Sequence, residues 1–257
     1  LFLDSINYVL LDGHVFLKQI GLVLRYNELC MITPQDTIHA LNTRYAVKRF
    51  DPSKKLSEEQ LSLLEECLRL TPSSFGFEPW KFVIITDEAI REKLALYSMG
   101  NKQVTTASAL VVLCAQNHVG NHDVRAFLDR TMNIRNVPET VLSSLKKTLY
   151  GVVWARNLNM WTLGIPGLIF GTKIFRQWQT KQVYIALGNL ISVCAHQKID
   201  AAPMEGFDQR AYKRILAEYT QGFSPVVLCA VGYRAEDDSF ASMVKVRKTK
   251  EEVITRV

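Results

Sequence analysis

Read along its 257 residues, the sequence predicts an α+β or α/β domain, on three observations. Short apolar runs rich in β-branched residues stand far apart, at 80–86, 109–115 and 223–233. Between them lie longer segments with helical periodicity and recognisable caps. A chain that is 48% hydrophobic and 22% charged has the balance of a globular protein. Its length suffices for a sizeable core in one large domain or two small ones.

The elements follow in order. The opening "LFLDSINYVLLDGHVFLKQIGLVLRYNELC" is apolar but has neither a basic leader nor a small-residue cleavage site, so it makes a poor signal peptide. Asp4, Asp12, His14 and Lys18 interrupt it too often for a membrane helix. From Met31 the text changes character. We read residues 1–30 as an N-terminal extension outside the core, with Met31 as the natural start and 31–257 as a single domain. The alternative is an extra surface helix. A helix begins at Ser57, where Ser57 and Gln60 make a capping box and Leu56 and Leu61 have the spacing of a hydrophobic staple. Leu61, Leu64 and Leu68 share its buried face. "WKFVIIT" (80–86) is a buried strand, and Asp87 caps the helix after it. "ALVVLCA" (109–115) and "FSPVVLCAVGY" (223–233) are two more strands. Residues 117–180 are the least regular stretch. Residues 181–199 are apolar on nearly every side and read as a central buried helix, whereas 208–219 is a more polar surface helix.

Composition excludes several classes. A net charge of +6 suits anionic partners, phosphorylated small molecules among them, but the charge is scattered, which disfavours a nucleic-acid groove. No apolar run reaches the roughly 18 residues of a bilayer span. Cys30, Cys67, Cys114, Cys194 and Cys229 are isolated and odd in number, which indicates buried thiols in a reducing, cytoplasmic setting rather than disulfides or zinc. His118 and His122 flank Gly120 and lack a companion carboxylate, so a polar loop is expected there and no metal site. A strand-turn GxGxxG, a Walker A loop and a GxSxG elbow are all missing.

Four clusters remain: "RYAVKRF" with Arg44, Lys48 and Arg49; "PSSFGFEPW" at 72–80; "GNKQ" at 100–103; and "KVRK" at 245–248. To these "AAPMEGFD" (201–208) adds a lone carboxylate between a methionine and a glycine, in what reads as a tight turn at the edge of a core. Singly, each is more often a loop or a solvated face than a site.

Their order resembles the FMN-dependent nitroreductase family, in particular the oxygen-insensitive NAD(P)H nitroreductases and dihydropteridine-reductase-like members. The matching text runs from "RYAVKRFDPSKKLSEEQ" through "PSSFGFEPWKFVIIT" and "KQVYIALGNLISVCAHQKIDAAPMEGFD" to "VGYRAEDD" and "KVRK", covering roughly 33–257, with 117–175 matched loosely. The resemblance implies an α+β sandwich with helices around a mainly antiparallel sheet. It also implies an intertwined homodimer with two FMN at the interface, and NAD(P)H as electron donor to a small-molecule acceptor such as a nitroaromatic or quinone. Arg44, Lys245 and Arg247 would meet the FMN phosphate. Lys48 and Asn101, with Lys102 or Gln103 nearby, would line the pyrimidine edge of the ring. Ser73 and Ser74 would reach the flavin of the other subunit. The amides of Glu205 and Gly206 would face N5 and the C4 carbonyl, with Pro203 fixing the entry to the turn. Tyr45, Ala46, Pro72, Gly76 and Met204 complete the cofactor-contacting set. No side chain is implied as an obligatory catalyst. Three positions depart from the family pattern: Ala46 for a small hydroxyl residue, Gly76 for an asparagine, and Glu78 for a glutamine. Another flavin reaction on the same scaffold, such as pteridine reduction or dehalogenation, a non-catalytic flavin carrier and a basic binding module stay open as alternatives.

Overall fold

The computed structural model describes residues 8–11, 14–17, 22–25, 32–158 and 168–257, with side chains for 32–153 and 176–257. The chain divides into two compact units, Leu1–Thr43 and Arg44–Val257.

In the first unit, β1 (Tyr8–Leu11), β2 (His14–Leu17) and β3 (Leu22–Arg25) form an antiparallel meander, with Tyr8 opposite Leu17 and His14 opposite Arg25. This differs from the surface-helix alternative. The runs "YVLL", "HVFL" and "LVLR" are too short and too broken by turn residues to hold a helix, but each is long enough for a short strand. Helix α1 (Pro34–Thr43) follows, its first turn fixed by the Thr33 hydroxyl and the Asp36 carboxylate, each accepting the other's backbone N–H at 3.1 and 3.0 Å.

The second unit is built on a four-stranded sheet of β4 (Trp80–Ile85), β5 (Ala109–Gln116), β6 (Asp200–Met204) and β7 (Phe223–Gly232), in the order β4-β5-β7-β6. Every neighbouring pair is antiparallel, so the fold class is α+β. Residues Ala109 to Cys114 of β5 are each 0% exposed. Because side chains alternate along a strand, Ala109, Val111 and Leu113 enter one apolar cluster while Leu110, Val112 and Cys114 enter another on the opposite face. This explains why β5 reads as an uninterrupted apolar run rather than an alternating one.

Helix α2 (Glu58–Arg69) carries the expected cap: the Gln60 N–H donates to Ser57 Oγ at 3.2 Å and the Ser57 N–H to Gln60 Oε1 at 3.0 Å. Its Leu61, Leu64 and Leu68 pack into the first cluster. Asp87 caps α3 (Glu88–Ala95) through the Ile90 N–H. A short α4 (Gln103–Thr106) precedes β5. The irregular-looking 117–180 stretch holds α5 (Asn121–Arg135) and α6 (Ser143–Leu158). Their own small cluster of Val124, Leu128, Leu142, Leu149 and Val153 is too sparse to have stood out as a period.

Helix α7 runs Leu168–His196, beginning well before residue 181. It is not buried on all sides: Val183, Ala186, Leu187 and Leu190 face the sheet, while Tyr184, Ile185 and Gly188 are exposed, Ile185 by 46%. Pro203 and Met204, expected in a turn, instead end β6. Proline is tolerated there because β6 is the sheet's edge. Helix α8 (Gln209–Ile215) is shorter than expected and is capped by Asp208; α9 (Lys250–Val253) lies near the C-terminus.

Candidate functional site

The site assembles along the outer edge of β6. Ala46 bridges in parallel to Ala201, and Phe50 bridges to Arg234 beyond the end of β7. The fully buried Val47 and Phe50 pin the segment between them to the core, which leaves Lys48 exposed at the rim. Asp238, 6% exposed, accepts the backbone N–H groups of Lys48 at 2.9 Å, Arg49 at 3.2 Å and Phe240 at 3.0 Å. Burial pushes its carboxyl up, but those three N–H donors together with the Tyr45 hydroxyl outweigh burial and hold it below the ordinary carboxylate value. Arg234 grips Asp200 from Nε and Nη2 at 2.9 and 2.5 Å and lies 4.6 Å from the Tyr45 ring centroid. Burial, then the Asp238 carboxylate, raises the Tyr45 hydroxyl to about 12. The loop carrying Arg44 to Arg49 is therefore braced from beneath at several points. The Lys48 ammonium lies 5.6 Å from the Phe240 ring centroid.

The C-terminal tail returns to this loop. Lys245 Nζ donates to the Arg44 carbonyl at 2.5 Å. Burial, followed by the Arg44 and Arg247 guanidiniums, pushes the Lys245 ammonium below its ordinary value. Three cations thus crowd together. Arg44 and Arg247 form no ion pair among the described residues. Crowding of this kind favours an anion.

The third part is the turn after β6. Asn101 Nδ2 donates to the Gly206 carbonyl at 3.0 Å, and the Asp208 N–H donates to the Tyr97 carbonyl at 2.8 Å. These bonds join the 97–101 and 204–208 loops. The Glu205 carboxylate accepts the Tyr184 hydroxyl at 2.5 Å. Burial, then Glu205, raises that hydroxyl to about 12. A Cβ built on Gly206 would lie 3.5 Å from Asn101 Nδ2 and 3.6 Å from Met99 Sδ, both ordinary contacts. The protein's own packing therefore does not demand glycine at 206. Gln103 Nε2 donates to the Val47 carbonyl at 3.3 Å, which ties the start of α4 to the Lys48 loop.

The segments bearing Arg44, Tyr45, Ala46, Lys48, Asn101, Gln103, Pro203, Met204, Glu205, Gly206, Lys245 and Arg247 thus belong to one connected region. Pro72, Ser73, Ser74 and Gly76 are not joined to that region directly. Among the described residues no hydrogen bond or ion pair links them to the Arg44, Asn101 or Glu205 segments. Their loop is tied instead to α7, where the Ser74 N–H donates to Gln182 Oε1 at 2.8 Å, and to itself, where the Glu78 N–H donates to Ser73 Oγ at 2.9 Å. Phe75, Gly76 and Glu78 adopt φ of 58°, 73° and 50°. Glycine is favoured at 76: a Cβ there would be strained by φ and would approach Phe127 Cε2 to 3.2 Å.

Sequence reasoning missed the supports. Asp238 and Arg234 stood within "VGYRAEDD", yet only contacts across 190 and 34 residues reveal what they hold. Tyr184 looked like one apolar helix residue among many. Arg91, 1% exposed, donates from Nη1 to the Thr105 and Ala107 carbonyls at 3.0 and 2.6 Å and so fixes the C-terminal end of α4.

Comparison with known proteins gives a consistent result. Residues 41–233 match the model of the Nitroreductase family. A provisionally named NAD(P)H nitroreductase of Staphylococcus haemolyticus is 36% identical over 230 residues, 87% of this chain and 99% of its own. A provisionally named nitroreductase structure from Bacillus subtilis has a TM-score of 0.73 at 19% identity, covering 88% of this chain and 100% of that one. One from Exiguobacterium sibiricum, solved in complex with FMN, has a TM-score of 0.69 at 18% identity, covering 88% and 99%. At those identities the structural likeness is one of fold.

Proposed function

The chain belongs to the nitroreductase family, and on that premise we propose that it is an FMN-dependent NAD(P)H oxidoreductase that reduces nitroaromatics, quinones or similar acceptors. The observation that carries this reading is the crowding of Arg44, Lys245 and Arg247 beside a turn whose glycine the chain's own packing leaves unexplained. The donor set suits FMN. Three cations match a phosphate dianion, and arginine forks make the strongest phosphate contacts. Gly206 leaves its backbone open to a flat ring, which accounts for a glycine there. Lys48 stands exposed where an ammonium would stabilise negative charge on the ring's pyrimidine edge. Asn101 and Gln103 hold the surrounding loops in place. The Glu205 and Gly206 amides are the working groups of the turn, and the Glu205 side chain is occupied by Tyr184. Bound FMN supplies two-electron hydride chemistry between NAD(P)H and the acceptor.

The working unit in this reading is a homodimer. The described part of α7 exposes Ile185 and Gly188 and half-exposes Ser192 and Ala195, a stripe at helical spacing with a glycine that lets a second helix approach closely. Pro72, Ser73, Ser74 and Gly76 of each subunit would complete the partner's flavin site. A cytoplasmic setting is supported by Cys67, Cys114, Cys194 and Cys229, which are buried and free. Among the described residues no helix is long and apolar enough to cross a membrane.

The test is optical and kinetic. The purified protein is expected to be yellow and to bleach on adding NADH or NADPH. With a nitroaromatic or quinone acceptor, initial-rate plots are expected to give parallel lines, because donor and acceptor use one site in turn. Intersecting lines would contradict the shared site, and a colourless protein would contradict the cofactor.

A further inference from the structure

One face of α7 carries a groove on the N-terminal side of the Ile185–Ala195 stripe. Its volume is about 460 Å³, and its described lining is Arg176, Gln177, Thr180, Lys181 and Tyr184. The spacing of 176, 177, 180, 181 and 184 places all five on one side of the helix. We propose that this groove holds the phosphorylated adenosine end of the electron donor, with Arg176 and Lys181 receiving the 2′-phosphate, so that the enzyme uses NADPH in preference to NADH. The inference rests on the reading above, that a reduced nicotinamide dinucleotide is the donor.

The groove runs toward the chemistry. Its C-terminal end is Tyr184, whose hydroxyl donates to Glu205 Oε1 at 2.5 Å in the turn assigned to the flavin. From Tyr184 back to Arg176 is eight residues of helix, about 12 Å, a length that an extended dinucleotide covers. The volume lies within the range of small-molecule sites, roughly 300–1,000 Å³.

The groove's charge selects the ligand. Arg176 and Lys181 are exposed and form no ion pair among the described residues. No carboxylate belongs to the described lining. The Glu205 carboxylate stands beyond the Tyr184 hydroxyl, which donates to it. Gln177 and Thr180 add neutral donors and acceptors suited to sugar hydroxyls. NADH and NADPH share everything except one phosphate, and two cations with no ion pair among the described residues favour the ligand that carries it. The same cations would steer the more highly charged donor, making its on-rate the more sensitive to salt.

The experiment compares kcat/KM for the two donors in the FMN-loaded wild type and in the Arg176→Ala/Lys181→Ala double variant, with FMN content measured in both. The wild type is expected to favour NADPH by about tenfold or more, the worth of one charge-assisted phosphate contact. In the double variant that preference is expected to fall about tenfold. Adenosine 2′,5′-bisphosphate is expected to compete with NADPH at the wild-type enzyme about tenfold more strongly than 5′-AMP, a reading that needs no variant. A wild type that favours NADH, an unchanged preference in the double variant, or equal competition by the two adenosine nucleotides would each overturn the inference and leave the flavin reading standing. A protein that neither donor bleaches would remove the reading beneath it.

Discussion

The Arg44–Arg49 loop and the Pro72–Glu78 loop both carry residues assigned to the flavin, and they are held in opposite ways. The first is cross-braced by its own chain. Asp238 takes its N–H groups, Arg234 backs Tyr45, Lys245 bonds the Arg44 carbonyl and Gln103 bonds the Val47 carbonyl. The second loop folds on itself through left-handed residues and is tied to α7 by the Ser74 N–H and to α5 by the Glu78–Arg130 ion pair. A single chain thus finishes one half of the proposed site, the cation cluster and the turn. The residues proposed as its second half, Ser73 and Ser74, have no direct hydrogen bond or ion pair to the first among the described residues. In the proposed reading, that difference makes the flavin site depend on a second copy of the chain.

The largest effect is expected at the braced half. Arg247→Ala removes a charge-assisted phosphate partner and is expected to weaken FMN binding by about 1.5–3 kcal/mol, or roughly tenfold to a hundredfold in Kd. Wild-type binding is expected to weaken with added salt as well. Fluorescence titration of FMN checks both, and an unchanged Kd would break the assignment of the cradle.

Next comes the brace itself. Asp238→Ala leaves the N–H groups of Lys48, Arg49 and Phe240 without their acceptor, and a buried orphan donor costs about 1–3 kcal/mol. Denaturant unfolding is expected to show that loss, with FMN affinity falling alongside it. Loss of stability with full FMN affinity would mean that the brace does not position the loop.

High pH separates the halves more gently. Tyr45 and Tyr184, both in the braced region, titrate at about 12 in the folded protein against an ordinary 10.0. Because the folded value lies above the unfolded one, the stability they add is complete below pH 10 and is lost as pH climbs from 10 toward 12. Release of FMN, followed by its fluorescence, is expected to begin in that window. Tyr184→Phe is expected to release FMN less steeply, having one fewer group to titrate.

The smallest effect is expected outside both halves. Expressing 31–257 alone is expected to leave FMN content, dimerisation and Tm nearly unchanged, since every assigned residue lies in the compact unit Arg44–Val257. A short form that is insoluble or flavin-free would make residues 1–30 part of the fold.

Much of this was legible in the sequence, and the illegible parts share a cause. The capping box at Ser57, the Asp87 cap and the three apolar strands depend on near neighbours, and all are present. The strand at 200–204 was hidden by its proline, because nothing local announces that an edge strand can spare an N–H. Helices α5 and α6 have little apolar face, and the early start of α7 lacks a legible cap. At the site the cations and the glycine turn were visible as clusters. Asp238, Arg234 and Tyr184 were not, since each acts across the fold on a backbone or a side chain that the sequence does not place beside it.

The shared site is tested most directly by complementation. One variant carries Arg44→Ala and Arg247→Ala, and a second carries Ser73→Ala and Ser74→Ala. Each alone is expected to hold little FMN. Unfolded together and refolded as mixed dimers, they should regain FMN in roughly one site in four, because each mixed pair unites one intact cradle with one intact loop. If the mixture holds no more FMN than the separate variants, the two halves do not meet across a dimer and each chain builds its site alone.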